Sequence, residues 1–584
     1  MRAVEPARRR RAPRWLLLFL GIACVLVGTT LITRPFQSLT LLILLVAAGL
    51  ILTGLNDLAE RSDRTSARPL TFGGTAWIIL GIAILLWPGL SFRTLIIIVG
   101  LAFIGSGLAH ALSALRSETD LRAAALLLGT ASVILGILAL AWPDITLLVV
   151  AVVFGVRMVL FGLARLASAI WGSRADSGAG ESHPPSPVLG FAKTIGAALA
   201  LLASLALAGI SIRLHQGSPT VDAFYRAPGQ VPAQPGKLLR TEAMSRAIPD
   251  GAQAWRILYT TTRAEGVPAL ASALVVAPKN LPPGPRPVIA WAHGTTGVDE
   301  TCAPSVLPDP FKAGATPALD QVIARGWVLV ATDYIGLGTE GPHAYLIGQP
   351  AGRAVLDAVR AARQMPELNL ADQTVVWGHS QGGGAALWTG ILAPAYAPDT
   401  NVIGVAALAP ASDLPGLVGN LDVVKGGSIF ASYIIQGYSD TYPDVRFDDY
   451  IRPTARILVR EMASRCLAEP EVFVSAIESL AIDTSIWSVP PSSGPFGERL
   501  KENVPSGPIP APLLIGQGLG DELVLPTAQA AYAKSRCQQG GQVDYRTYAG
   551  FDHVGVVGEH SPLVPELLSW TQDRFDGKPA ASTC

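Results

Sequence analysis

The sequence predicts an all-α transmembrane domain followed by an α/β domain with a mostly parallel sheet. Three observations lead there. The N-terminal third is a succession of long apolar runs, and from about residue 251 β-rich runs alternate with helical periodicity. Within that second part, residues 374–387 (TVVWGHSQGGGAAL) read as strand, glycine-flanked serine and helix. The chain has 584 residues, too many for one core, so several domains are the default. Hydrophobic residues make up 50% and charged residues 15%, a bias that points to a membrane portion. Lys and Arg (44) balance Asp and Glu (44), which gives no electrostatic footprint for nucleic acid. No spacing of His, Cys, Asp and Glu suits a metal, and no cofactor motif occurs, so neither is expected.

The apolar runs are 15–33, 39–55, 72–87, 95–115, 121–142, 145–170 and 188–212. Most have the length needed to cross a hydrocarbon core. A basic tail, 1–14, precedes the first, and further apolar runs follow at once, so the opening is no cleaved leader. Residues 15–171 carry a threefold repeat. Pro35, Pro88 and Pro143 stand 53 and 55 residues apart, each between two runs. Seven residues before them come Gly28, Gly81 and Gly136, and nineteen after come Gly54, Gly107 and Gly162. The unit is a helical hairpin used three times, with small residues placed where helices approach. A polar Gly/Ser/Pro linker, 172–187, separates this six-span domain from a seventh span, 188–212.

Basic residues set the orientation. One side carries Arg2, Arg8–Arg11 and Arg14, then Arg61, Arg64 and Arg68, Arg116 and Arg122, Arg165 and Arg174. The opposite short loops carry Arg34 and Arg93. The richer side is therefore cytoplasmic, with the N-terminus, and seven spans place everything after residue 212 outside the cytoplasm. Six spans would invert this.

Residues 213–250, rich in Pro and polar groups, read as a juxtamembrane linker. The outer domain, 251–577, follows. Strands are expected at 255–262, 270–277, 287–292, 327–332, 373–377, 402–408, 512–516 and 543–548. Helices are expected at 350–363, 384–392, 527–536 and 563–575. A hairpin followed by strand–helix alternation gives a mostly parallel sheet covered on both faces. This is the order of an α/β-hydrolase domain. One section breaks it: 414–508 has helical stretches at 428–436, 454–462 and 471–481, then a Pro-rich segment. That insertion is longer than a connection needs and reads as a helical lid.

Gly378-His379-Ser380-Gln381-Gly382 has the context of a nucleophile elbow, whose tight turn excludes side chains two residues either side of the serine. A serine hydroxyl needs a base to take its proton and a carboxylate to orient that base. On this fold the order is Ser, acid, His. His553 follows the last expected strand and is preferred over His560. Asp521 follows the strand at 512–516 and is preferred over Glu522 and Asp552. Acyl transfer also needs donors for the oxyanion. Gln381 N–H is one. The second comes from the turn 293–297, with Thr295 favoured over Gly294 and Thr296, and His293 is expected to be structural.

Residues 220–577 resemble the secretory lipase family, the Candida antarctica lipase A-like α/β-hydrolases. The likeness lies in His293-Gly294-Thr295-Thr296-Gly297 with Cys302-Ala303-Pro304-Ser305, in Ala331-Thr332-Asp333-Tyr334, and in the elbow. Ala395-Tyr396-Ala397-Pro398, Gly520-Asp521-Glu522-Leu523-Val524 and the Asp552-His553 loop complete it. The resemblance implies a triad of Ser380, Asp521 and His553, a helical lid, a lipid or other acyl-ester substrate, and a disulfide between Cys302 and Cys466. Pairing of Cys537 with Cys584 follows only from the even count of cysteines outside the apolar runs. The hairpins, 15–171, resemble HdeD-type short-repeat membrane proteins. The expected function is a membrane-anchored serine carboxylester hydrolase. The alternatives are an acyltransferase acting on envelope lipids or sugars, or a sensing or transport module with an appended hydrolase domain.

Overall fold

The computed structural model describes residues 14–34, 72–86, 88–116, 122–171, 187–216, 219–280, 283–482 and 484–584, with scattered residues between 41 and 51. Most of the basic tail, the linker 172–187 and the run 39–55 thus lie outside the described residues. Two compact units form. One holds residues 1–216 with the short pieces 453–458 and 480–485, and the other holds the remainder.

In the first unit the described apolar runs are helices: α1 Arg14–Thr33, α2 Phe72–Leu86, α3 Pro88–Arg116, α4 Arg122–Ala141, α5 Pro143–Trp171 and α6 Pro187–Gln216. Pro88 and Pro143 each open a helix, where the missing N–H costs nothing. Among the described residues, four stretches are long and apolar enough to cross a membrane: Arg93–Leu112, Arg122–Ala141, Pro143–Leu163 and Thr194–His215.

The repeat glycines mark where these helices touch. Gly21 and Gly28 on α1 face Gly162 and Gly155 on α5, and Gly100 and Gly107 on α3 face Gly136 and Gly129 on α4. Each pair lies seven residues apart, two helical turns, so both members share a face. A Cβ at Gly28 would fall on the Gly155 carbonyl, and one at Gly107 on the Gly129 carbonyl. Gly81 of α2 lies against Ala47 and Ile51, which are the Pro+12 and Pro+16 positions of the first hairpin. Gly155 and Val159 hold those positions in the third hairpin, Gly100 and Ile104 in the second. The second helix of each hairpin therefore packs on the first helix of the next, and the last returns to the first. In lipid such close approach is what drives association, because the tails are as apolar as Leu. The sixth helix packs against α4, and near its far end Trp142 Nε1 donates to Ser211 Oγ at 2.9 Å and the Trp142 and His215 rings meet edge-on.

The second unit is built on a nine-stranded sheet in the order β1-β2-β3-β5-β4-β6-β7-β8-β9. The strands are β1 Leu238–Met244, β2 Ala252–Thr262, β3 Pro268–Pro278, β4 Arg286–Ala292, β5 Val328–Ile335, β6 Leu370–His379, β7 Val402–Leu408, β8 Leu513–Gly518 and β9 Val543–Tyr548. β1 to β3 and the β3–β5 pair are antiparallel; from β5 through β9 all pairs are parallel. The inner parallel strands β4, β5, β7 and β8 are buried along most of their length and largely apolar, as a doubly covered sheet requires, while the edge strand β9 is polar and partly exposed. Helices α7 Leu319–Ala324, α8 Gly348–Ala362, α9 Gln381–Tyr396, α15 Pro526–Gln538 and α16 Leu563–Phe575 cover it. Trp291 and Trp377 are fully buried, and Trp377 Nε1 donates to Thr571 Oγ1 of α16 at 2.9 Å.

Part of the expected linker 213–250 is folded instead. β1 pairs antiparallel with β2, and a short 3₁₀ turn at Ala223–Tyr225 buries Phe224 and Tyr225 under the Arg256 guanidinium. Between β7 and β8, the described residues hold helices α10 Leu414–Asn420, α11 Gly427–Thr441, α12 Arg456–Ser464, α13 Val472–Ala481 and α14 Gly494–Glu502. The stretch between α12 and α13 is fastened to the turn after β4. Cys302 and Cys466 form a disulfide, and Leu467 N donates to Thr296 O at 2.8 Å. A second disulfide joins Cys537 to Cys584.

Candidate active site

The parallel strands end side by side, with Ala292 of β4 opposite Gly378 of β6, and His379 opposite Leu408 of β7. Ligands of open parallel sheets gather at such C-terminal edges. Ser380 sits there in the turn from β6 to α9, at φ 57 and ψ −119. That is a left-handed, strained conformation for a residue with a side chain, costing on the order of 1–3 kcal/mol. The flanking glycines show why the turn needs them. A Cβ on Gly378 would fall on the Gly382 carbonyl, and one on Gly382 on the Ala292 carbonyl. Backbone bonds hold the turn: Ser380 N donates to Leu408 O at 2.9 Å, and Ala411 N and Gly384 N donate to Ser380 O.

The loop after β9 brings His553 to this serine. Ser380 Oγ lies 2.8 Å from His553 Nε2, and His553 Nδ1 lies 2.7 Å from Asp521 Oδ2. A carboxylate only accepts, so the imidazole proton is on Nδ1 and Nε2 is free to receive the serine proton. Asp521 follows β8 and its side chain is fully buried. Its Oδ1 accepts from Leu523 N and Val524 N at 3.0 and 2.8 Å, and Oδ2 also accepts from Gln517 Nε2 at 3.1 Å. Every lone-pair direction of the carboxylate is thereby used to aim it. The other candidates lie elsewhere. His560 is exposed, and Asp552 is turned into its own loop, where Oδ1 accepts from Gly555 N at 2.7 Å. Glu522 is exposed beside Asp521.

The turn after β4 lies against the serine: a Cβ on Gly294 would stand 3.8 Å from Ser380 Cβ. Beside it, Thr295 Oγ1 and Tyr345 OH are 2.7 Å apart. Gln381, the first residue of α9, donates its side-chain Nε2 to His343 Nε2 at 3.0 Å, and His343 Nδ1 donates to Ile335 O. His293 donates Nδ1–H to Gly294 O at 2.6 Å and its carbonyl accepts from Tyr334 OH at 3.0 Å. It shapes the turn. Below lies a buried carboxylate, Asp333, receiving Ser272 Oγ at 2.6 Å, Ser305 Oγ at 2.5 Å and Ser305 N at 2.9 Å. Burial pushes Asp333 up to about 6, and pushes the His293, His343 and His379 imidazoles down to about 4, 3 and 3. His343 and His379 gave no signal in the sequence: each takes its role from partners distant in the chain.

A serine on a strained elbow, hydrogen-bonded to a histidine that is in turn bonded to a buried carboxylate, is an arrangement for nucleophilic attack on a carbonyl. Residues 316–583, from α7 to the C-terminal disulfide, match one family. That family is the secretory lipases. Residues 19–73, 72–130 and 127–202 match a short repeat of unknown function, DUF308, one match for each of the hairpins around Pro35, Pro88 and Pro143. Among relatives, a secreted triacylglycerol lipase of Malassezia globosa is 28% identical over 62% of this chain and 81% of its own. Lipase 6 of Candida albicans is 26% identical over 63% of this chain and 83% of its own. A probable inactive lipase of Mycobacterium tuberculosis is 28% identical over 62% of this chain and 83% of its own. The crystal structure of Candida antarctica lipase A in its closed state superposes with a TM-score of 0.53 at 21% identity, covering 62% of this chain and 88% of that one. The secretory lipase region is thus a lipase-like α/β-hydrolase domain, carried by a chain whose N-terminal repeats are of membrane type.

Between the segment after β7 and the loop after β8 is a small, mostly apolar space of about 50 Å³, lined by residues that include Ala411, Ser412, Asp413, Leu417, Leu523, Val524, Leu525 and Gln529; no triad residue lines it. Ala411 is one hydrogen bond from Ser380 O, and Leu523 and Val524 are each one from Asp521.

Proposed function

We propose that the chain is a membrane-anchored serine carboxylester hydrolase of lipase character, with Ser380 as nucleophile, His553 as general base and acid, and Asp521 as its orienting carboxylate. The observation that carries this reading is the continuous hydrogen-bonded line Ser380–His553–Asp521 on a strained turn. Ser380 Oγ attacks the ester carbonyl as its proton passes to His553 Nε2. Asp521, one bond behind, stabilises the imidazolium. The tetrahedral oxyanion is met by the Gln381 and Thr295 N–H groups. His553 then protonates the leaving alcohol, and water attacks the acyl-enzyme by the same relay. The mycobacterial relative bears the description of a probable inactive lipase. In this chain the three groups stand within hydrogen-bonding distance, the condition that activity requires.

The helical insertion 414–508 is the lid in this reading. The seven spans read from the sequence and its arginine asymmetry support a cytoplasmic N-terminus and a catalytic unit outside the cytoplasm. The two disulfides agree with an oxidising compartment. The substrate is then an ester within reach of the outer face of that membrane.

The test uses the full chain in detergent with p-nitrophenyl esters of increasing chain length. Ser380→Ala should abolish turnover, and Asp521→Asn should lower it by on the order of 10⁴. Undiminished turnover by Ser380→Ala would sink the serine mechanism. Protease added to intact cells should cleave the catalytic unit, and its protection would overturn the topology.

A further inference from the structure

We propose that His379, the residue before the nucleophile, is a positioning residue: its imidazole tethers the backbone of His553 and fixes the base over Ser380. This rests on the hydrolase reading above. His379 closes β6 and is 4% exposed. Its Nε2 stands 2.8 Å from the His553 carbonyl oxygen, and since a carbonyl only accepts, the His379 proton is on Nε2. The two rings lie 4.9 Å apart between centroids at 37°. On the other side, a Cβ on Gly294 would stand 3.4 Å from His379 Nδ1. The imidazole is thus wedged between the turn expected to donate to the oxyanion and the loop that carries the base.

Other bonds hold the neighbours of His553 in that loop: Leu519 N donates to Tyr548 O at 2.9 Å and Gly555 N to Asp552 Oδ1 at 2.7 Å. His553 lies between the end of β9 at Tyr548 and a short 3₁₀ turn at Gly555–Val557. Gly520 N donates to Phe551 O at 2.9 Å and Val556 N to Asp552 O at 3.2 Å, which fixes the residues before His553. The His553 carbonyl itself receives its bond from the His379 side chain. Without that donor, the carbonyl would seek another partner and carry the ring away from Ser380 Oγ. A misplacement of ~1 Å at a reacting group costs on the order of 10²-fold in rate. Burial also pushes His379 down to about 3, so it stays neutral when His553 becomes an imidazolium beside it.

The prediction separates kcat from KM. In the full chain in detergent with p-nitrophenyl butyrate, His379→Phe keeps the ring and loses the donor. It should lower kcat by roughly 10- to 100-fold with KM within about twofold. His379→Gln, whose amide nitrogen reaches the position of Nε2, should recover kcat to within about threefold of the parent. If His379→Phe does not fold, His379→Met takes its place as the variant without a donor. Unchanged kcat in the donor-less variant, or equal loss in the Gln variant, overturns the tether. Ser380→Ala is measured alongside. If it retains turnover, the hydrolase reading itself fails; if it is dead while the donor-less variant is fully active, only the role of His379 fails.

Discussion

Both units of this molecule depend on glycine, and they use it for different ends. In the membrane-type unit, Gly21 and Gly28 meet Gly162 and Gly155, and Gly100 and Gly107 meet Gly136 and Gly129. The missing side chain there lets two regular helices approach until each glycine lies on the other's carbonyl. The backbone stays helical and the gain is dispersion and close packing. In the sheet unit, Gly378 and Gly382 flank a serine at φ 57, and the missing side chains make room for a turn folded back on itself. The spacing records the difference. Seven residues return to the same helix face after two turns, whereas four residues bracket a single strained position. An absent Cβ stabilises association in one unit and holds a reactive group under strain in the other.

Substitutions at these glycines should therefore separate cleanly. The largest effect is expected from Gly382→Val, whose side chain has no room against Ala292 O. Turnover in the full chain should fall on the order of 10³-fold, through displacement of Ser380 and the Gln381 N–H, while helical content by circular dichroism is retained. Gly107→Leu should do the reverse. It overpacks the α3–α4 contact and should lower stability by about 1–3 kcal/mol, read as a lower thermal midpoint in detergent, with kcat unchanged. A kcat loss as large as that of Gly382→Val would break the distinction.

Charge offers a further contrast, because three neutral imidazoles are buried around the elbow. His343 is held down to about 3, so below pH 6.5 the unfolded chain takes up a proton that the native chain refuses. Its contribution to stability is intact above pH 6.5 and declines by about 1.4 kcal/mol per pH unit as the pH falls towards 3. Asp333 acts with the opposite sign. Pushed up to about 6, it binds its proton in the native state first and gains stability as the pH falls below that value. His343→Gln should flatten the acid limb of the stability curve by one proton's slope, measured by denaturant titration at pH 6 and pH 4.5. The smallest effect belongs to Gly105→Ala. Gly105 lies on α3 with open space where a Cβ would stand. Alanine there should be neutral or raise stability by about 0.5–1 kcal/mol. Destabilisation would mean that glycines outside the paired positions also carry contacts.

The elbow, the order of Ser380, Asp521 and His553, and the hairpin repeat were legible because each imposes a local rule on residue type. Glycine has to flank the turn, and small residues have to recur at one place in each hairpin. The strand β1 was not legible. It is an edge strand, partly exposed along its length, so it lacks the alternation that marks a half-buried strand, and Leu238 to Met244 pair because β2 is there to receive them. Of the insertion helices, α11, α12 and α13 showed as helical stretches, whereas α10 and α14 did not, and the fastening through Leu467 N to Thr296 O is a backbone contact that no residue type announces. His379 is the sharpest case. A histidine inside Gly-His-Ser-Gln-Gly reads as filler between the glycine and the serine. Its partner carbonyl lies 174 positions away and becomes visible only when β6 and the β9 loop are neighbours.

The contact between α1 and α5 has a topological consequence. Gly21, near the start of the hairpin set, lies on Gly162 and Leu166, near its end, so the first and last helices are neighbours. The three hairpins thus make a cycle with no privileged opening. A chain that begins at the second hairpin and rejoins the third to the first through a short polar connection preserves every glycine contact, which is the situation in which circular permutation is tolerated. The break between Trp171 and Arg14 is one of three equivalent seams, and it is the one from which this chain leads away to its sheet unit.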